Sequence, residues 1–253
     1  MLAMRPEQME SLAAAAVGEF EGRMLAHIEE YFPAHHAILG EEPLRATIRL
    51  GIERGQAHGF TTERDLHHTI PLMLLLGSFF DEDPLLPWVG TILGDAKAPD
   101  PSQRAERLYD EAMAYLDAVV GEDGELLRRA LERLLERPLT ERWEARSRQV
   151  EGQIVALLRE VWPEKAGYVR PGVLVEVAQG AVAAARTHEV SGDLGPPLCG
   201  LFALLLGSGF AADPQFPWLT RILADRSAEG RPTKAARLHD AGMAFAEQWL
   251  ART

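Results

Sequence analysis

The sequence predicts an all-α protein built as two tandem copies of one unit of about five helices. Three observations carry that expectation. Apolar residues recur at the three-and-four spacing of helical faces through most of the chain. No stretch shows the alternation between turn signals that marks strands. Residues 21–120 align on 151–250 without a gap, and about 27 of 100 positions are identical. The densest echo runs from Leu74-Leu75-Leu76-Gly77-Ser78 through Asp83-Pro84, Pro87-Trp88 and Ile92-Leu93. It returns as Leu204-Leu205-Leu206-Gly207-Ser208, Asp213-Pro214, Pro217-Trp218 and Ile222-Leu223. The chain divides accordingly into a first helical repeat over 1–120, a linker helix over 121–137 and a second repeat over 138–253. The copies are expected to pack face to face with approximate two-fold symmetry.

In chain order, Met9, Leu12, Ala16, Phe20, Met24, Ile28 and Tyr31 fall on one face of a helix from about Pro6 to Tyr31. Pro6 suits its first turn and Pro33 stops it. A second helix, over about 43–58, uses Leu44, Ile48, Gly51 and Ile52, with Gly59 as its C-terminal glycine. Thr62 caps a third, with Glu63 and Asp65 at its positive end. It runs to Leu76 apolar on nearly all sides, as a central helix does, and Pro71 predicts a kink or break in it. A short helix begins at Pro87-Trp88, and a longer one begins around Asp100-Pro101-Ser102 with Ala105, Leu108, Ala112, Tyr115 and Val119 inward. Residues 125–136 form an amphipathic linker helix ended by Pro138. Thr140 is expected to cap the next, which uses Trp143, Val150, Ile154, Leu158 and Val161 and stops at Pro163.

Composition excludes more than it identifies. The formal net charge is −12 and no Lys/Arg-rich block offsets it, which disfavours a phosphate-backbone partner, so no nucleic acid is expected. The longest apolar run, Pro196 to Phe210, is shorter than the roughly 18 residues of a membrane span. The opening residues show no basic region followed by an apolar segment and a cleavage site, so the expected location is cytoplasmic. Cys199 stands alone, without a disulfide partner or the company of a zinc site. No Gly-x-Ser-x-Gly elbow, phosphate-binding loop or His-Glu-x-x-His occurs, so nothing points to an enzyme and no cofactor is expected.

Two sets of residues remain as candidates. Asp83, Trp88, Asp213 and Trp218, from the repeated Asp-Pro-x-x-Pro-Trp, could form a partner-binding surface, because tryptophan beside proline makes a good hot spot. The bland reading is a rigid turn whose tryptophan plugs a gap between helices. His58 and His188 are the one matched histidine pair and the first suspects for a ligand or metal. Their bland reading is a helix-terminal imidazole interacting with the dipole. Ser78 and Ser208 follow glycines that permit close helix contact, and such serines can bond back to their own helix.

Met4-Arg5-Pro6-Glu7-Gln8-Met9, Phe20-Glu21-Gly22-Arg23-Met24-Leu25-Ala26-His27, Tyr31-Phe32-Pro33 and Ile48-Arg49-Leu50-Gly51-Ile52-Glu53-Arg54 resemble a proteobacterial family of all-helical proteins. Gly59-Phe60-Thr61-Thr62-Glu63-Arg64-Asp65, Phe80-Asp81-Glu82-Asp83-Pro84, Pro87-Trp88 and Ile92-Leu93 extend the likeness over the first copy. In the second copy Glu189-Val190-Ser191-Gly192-Asp193 replaces the Gly-x-Thr-x-Glu-Arg-Asp turn. Members look like accessories to type VI secretion effector loci. The resemblance implies a non-enzymatic interaction protein, an adaptor, chaperone or immunity-type partner for a secreted effector. The alternative is a small-molecule or metal-binding helical protein, or an enzyme, with its pocket between the copies. The sequence leaves the oligomeric state open.

Overall fold

The computed structural model describes residues 6–95, 97–98, 100–137, 147–226 and 233–252, and every regular element among them is helical. The first half comprises α1 (Pro6–Tyr31), α2 (Pro33–Leu39), α3 (Glu41–Ala57), α4 (Glu63–Leu76), α5 (Pro87–Leu93) and α6 (Pro101–Val119). After α7 (Glu125–Glu136) come α8 (Ser147–Val161), α9 (Pro163–Tyr168), α10 (Pro171–Thr187), α11 (Gly195–Leu206), α12 (Pro217–Ala224) and α13 (Lys234–Leu250). The expected breaks at Pro138 and cap at Thr140, and the place of Trp143, lie outside the described residues.

Each half therefore holds six described helices where the sequence predicts about five. The difference lies at Pro33 and Pro163. Both stop the preceding helix, since proline offers no N–H to continue it. Both then occupy the first turn of a new short helix, where that N–H is not needed and the fixed φ fits. Single residues, Phe32 and Trp162, make the corners.

Helix α4 opens on a capping box in which the Thr62 side chain accepts from Asp65 N–H and Thr62 N–H donates to the Asp65 carboxylate. It continues through Pro71 as one helix, contrary to a break there. Leu66, Ile70, Leu72, Met73, Leu74 and Leu76 are buried around its circumference, as Leu198, Leu201, Phe202 and Leu204 are around α11. Each such side chain withdrawn from water contributes about 1.5–3 kcal/mol before conformational entropy is counted. Helices α3 and α6 flank α4, and α8 and α10 flank α11. Glu21 on α1 ties that helix to α3, accepting from Arg45 and Arg49 at 2.8 and 2.7 Å.

Two short helices cross between the halves. Helix α2 packs on α13, and α9 packs on α6. One connected set of buried apolar side chains runs through both halves. The linker α7 adds Ala130, Leu131 and Leu134 to it while resting on α13 and α8. Among the described residues no helix is long and apolar enough to cross a membrane.

Candidate functional site

Helices α4 and α11 both end on glycines with positive φ, Gly77 at 99° and Gly207 at 94°. Their backbones meet there. A Cβ on Gly77 would stand 2.5 Å from the Leu206 carbonyl oxygen, and one on Gly207 would stand 3.0 Å from that of Leu76. Neither side chain nor φ leaves room for another residue. The serines that follow do not bond back to their own helices. Ser78 N–H and Oγ donate to the Asp213 carboxylate at 2.8 and 2.6 Å, and Ser208 N–H donates to Asp83 at 2.9 Å. Each carboxylate also holds its own turn, Asp83 through Leu85 N–H and Asp213 through Gln215 N–H. Burial raises both carboxyls above the ordinary aspartate range, against these hydrogen bonds. Asp83 and Asp213 thus face the opposite half, 6% and 1% exposed.

Trp88 and Trp218 are half-buried, and each indole N–H is covered without a hydrogen-bond partner among the described residues. Their surroundings differ. Trp88 lies 6.0 Å from the Tyr115 ring, whereas Trp218 packs against Phe202 and Phe245 at 6.0 and 5.7 Å and lines a cavity.

That cavity, of about 490 Å³, is the candidate site. Its walls include Leu74 and Leu75 of α4, Leu127, Leu131 and Leu134 of α7, leucines of α11, and aromatic side chains such as Phe216, Phe245 and Trp249. Few polar groups reach it, and His35 and Gln215 are the inner ones. The His35 ring stands edge-on to Trp249 at 4.6 Å, and burial pulls its imidazole down to about 4 against the opposing Leu74 carbonyl. It is therefore neutral at ordinary pH. Gln215 is 2% exposed and donates from Nε2 to the Met73 carbonyl at 2.8 Å, to Ser78 Oγ at 3.0 Å and to Asp213 at 3.3 Å. Asp123, Gly124 and Arg252 also line it, and Arg252 donates to the Gln248 carbonyl.

The positions 130 residues away form the other crossing. There Lys165 stands for His35, Leu85 for Gln215, and Tyr115 for Phe245. Lys165 is 7% exposed, with its ammonium 4.8 Å from the Trp162 ring centre. Burial lowers it to about 8, opposed by the charge of Asp83. Tyr115 is 1% exposed and meets Tyr168 edge-on at 4.8 Å; its hydroxyl has no partner among the described residues. Trp162 closes the corner by donating its indole N–H to the Val119 carbonyl at 2.8 Å.

His58 and His188 do not line the cavity. Both sit one residue past their helices, α3 and α10, and each carbonyl accepts from a cation of the same half, Arg104 at 2.9 Å and Lys234 at 2.6 Å. His58 Nε2 is also 2.7 Å from Asp81, which Arg54 binds from the other side. Burial would raise the Asp81 carboxyl, but the His58 and Arg54 hydrogen bonds hold it below its usual range. Ala184 and Ala211 replace Arg54 and Asp81 in the second half, so His188 has no such network. Among the described residues no group of three or more His, Cys, Asp or Glu is placed to hold a metal ion. Cys199 is buried, which pushes its thiol up to about 12.

From the sequence His35 is one of eight candidate histidines, with the surface or a helix end as its bland reading, and Gln215 is not singled out. A signal for Gln215 was present, since an amide stands where the first copy has Leu85 in an otherwise apolar context. Comparison of the chain with protein-family models, with curated proteins and with solved structures finds no match in any of the three.

Proposed function

We propose that the protein acts by binding, and that an apolar small molecule occupies the cavity where its two halves meet. The observation that carries this reading is the cavity itself, about 490 Å³, lined mainly by leucines and aromatic rings from both halves with few polar groups. Pockets that enclose drug-sized ligands fall at about 300–1,000 Å³ with that kind of lining. The reading includes two copies of one unit related by approximate two-fold symmetry. The reciprocal bonds of Ser78 with Asp213 and Ser208 with Asp83 support it. So does the crossing of α2 onto α13 and of α9 onto α6.

Titration with the neutral fluorophore N-phenyl-1-naphthylamine tests it. Saturable one-to-one binding is expected, with a rise in Tm that grows with dye concentration. Leu205→Trp, which projects bulk into the cavity, should abolish binding while the protein stays folded. Unsaturable binding, or equal binding by the filled variant, sinks the idea.

A second reading keeps the accessory role in type VI secretion, with a protein partner in place of a small molecule. It is favoured by α7, whose Leu127, Leu131 and Leu134 lie at helical spacing along the same cavity. A surface that already receives one amphipathic helix is suited to another. Native pull-down with cross-linking decides for this reading if one stoichiometric partner cross-links to both halves and the dye is displaced.

A further inference from the structure

We infer that the cavity selects a neutral apolar molecule carrying one hydrogen-bond donor, a hydroxyl or an amide N–H, seated on the side-chain oxygen of Gln215. This rests on the cavity being a ligand site, and it adds the polarity of the ligand's head.

The orientation of the Gln215 amide is fixed by its neighbours. The Met73 carbonyl and the Asp213 carboxylate accept only, so the group facing them at 2.8 and 3.3 Å is the NH₂. The opposite end, Oε1, then belongs to a residue that is 2% exposed and lines the cavity, and it accepts no hydrogen bond among the described residues. An amide oxygen to which the protein donates nothing is left to water or to a ligand, and a ligand that brings a donor replaces the water bond where one without a donor forfeits it. The equivalent crossing has Leu85 at this position, and Asp83 there keeps its bonds to Leu85 and Ser208 N–H without an amide beside it. An amide is therefore not needed to hold an aspartate in this turn, and here its nitrogen serves the crossing while its oxygen is left for the cavity.

Charge argues for a neutral head. The neutral His35 supplies no cation to the interior. Asp123 lines the cavity, Asp213 lies directly behind Gln215, and the chain carries a formal net charge of −12. Arg252 is the one cation among the lining residues, and it is exposed and donates to its own helix at Gln248. An anionic head would have to be drawn to that exposed group, away from Gln215.

Displacement of N-phenyl-1-naphthylamine by three matched molecules tests the inference: dodecanol, its isomer methyl undecyl ether, and dodecanoate. The alcohol and ether share size and apolar area but only the alcohol donates, so the alcohol should bind about tenfold more tightly, the worth of one buried hydrogen bond. Gln215→Leu should bring the two within about twofold by weakening the alcohol alone, as expected for loss of a single acceptor. Far-ultraviolet circular dichroism and a cooperative thermal melt establish that the variant is folded. Equal binding of alcohol and ether to the unaltered protein overturns the inference while leaving the cavity as a ligand site. Tightest binding by dodecanoate, lost in Arg252→Gln, also overturns it. Failure of all three and of the dye overturns the ligand reading as a whole.

Discussion

At one crossing His35 meets Trp249 beside an open cavity, whereas at the other Lys165 lies over Trp162 beside Trp88, Tyr115 and Tyr168. The backbone arrangement is alike: a short proline-led helix from one half leans on the last helix of the other. What differs is side-chain chemistry. Tyr168 packs against Tyr115 at one crossing, and the residue at the corresponding position of the other is Ile38. One crossing is thus packed ring on ring, while the other sets His35 and Trp249 along the cavity wall. The tryptophans illustrate this. Trp88 and Trp218 each follow a proline at a helix start and are both half-buried, yet only Trp218 borders the cavity.

The largest effect that bears on this comparison concerns the buried aspartates. Asp213 accepts from Ser78 N–H and Oγ and from the backbone and side-chain N–H of Gln215, whereas Asp83 accepts from Leu85 N–H and Ser208 and has no amide side chain beside it. Asp213→Ala should cost about 3–5 kcal/mol and Asp83→Ala about 2–3 kcal/mol, because each leaves buried donors unpaired. Urea unfolding of both variants measures this, and equal losses would show that the two clasps carry the same load. Next come the glycines of the crossing. Gly77→Ala meets the Leu206 carbonyl at 2.5 Å, Gly207→Ala meets Leu76 at 3.0 Å, and both force a side chain into positive φ. The expected losses are about 3 kcal/mol at Gly77 and about 2 kcal/mol at Gly207, read as the difference in unfolding midpoint.

The smallest effect is a pair of pH windows, one for each crossing. His35 falls from 6.5 to about 4 on folding, so between these values the unfolded chain holds a proton that the folded chain lacks. Stability is then lost as pH falls from 6.5 towards 4, by about 2 kcal/mol once partial exposure is discounted. Lys165 falls from 10.5 to about 8, and stability should rise over that interval by a similar amount, about 2 kcal/mol. His35→Phe should flatten the acid window alone and Lys165→Met the alkaline window alone. Thermal melts at fixed ionic strength across both windows separate them, and a variant that flattened the wrong window would refute the assignment.

Much of the helical order was legible along the chain. The span Pro6–Tyr31, the cap at Thr62, the start at Pro87 and the linker over 125–136 follow from apolar periodicity and from the residues that begin and end helices. The short helices α2 and α9 were not legible, because a proline that stops one helix reads as an end until the chain after it is seen to turn. The histidine pair was visible as matched letters, but only one member acquires acidic and basic neighbours, Asp81 and Arg54, and neither borders the cavity.

The sequence by itself determined an all-helical chain with a repeated Leu-Gly-Ser and Asp-Pro-x-x-Pro-Trp, since helical spacing and the backbone limits of proline and glycine act over a few residues. Tertiary structure alone decided what those motifs touch. Ser78 and Asp213 are 135 positions apart, and Gln215 reaches the Met73 carbonyl across 142. Such bonds are set by how buried faces fit together, and whether a crossing closes or leaves a cavity depends on the combined shape of side chains from distant segments. No local pattern encodes that shape.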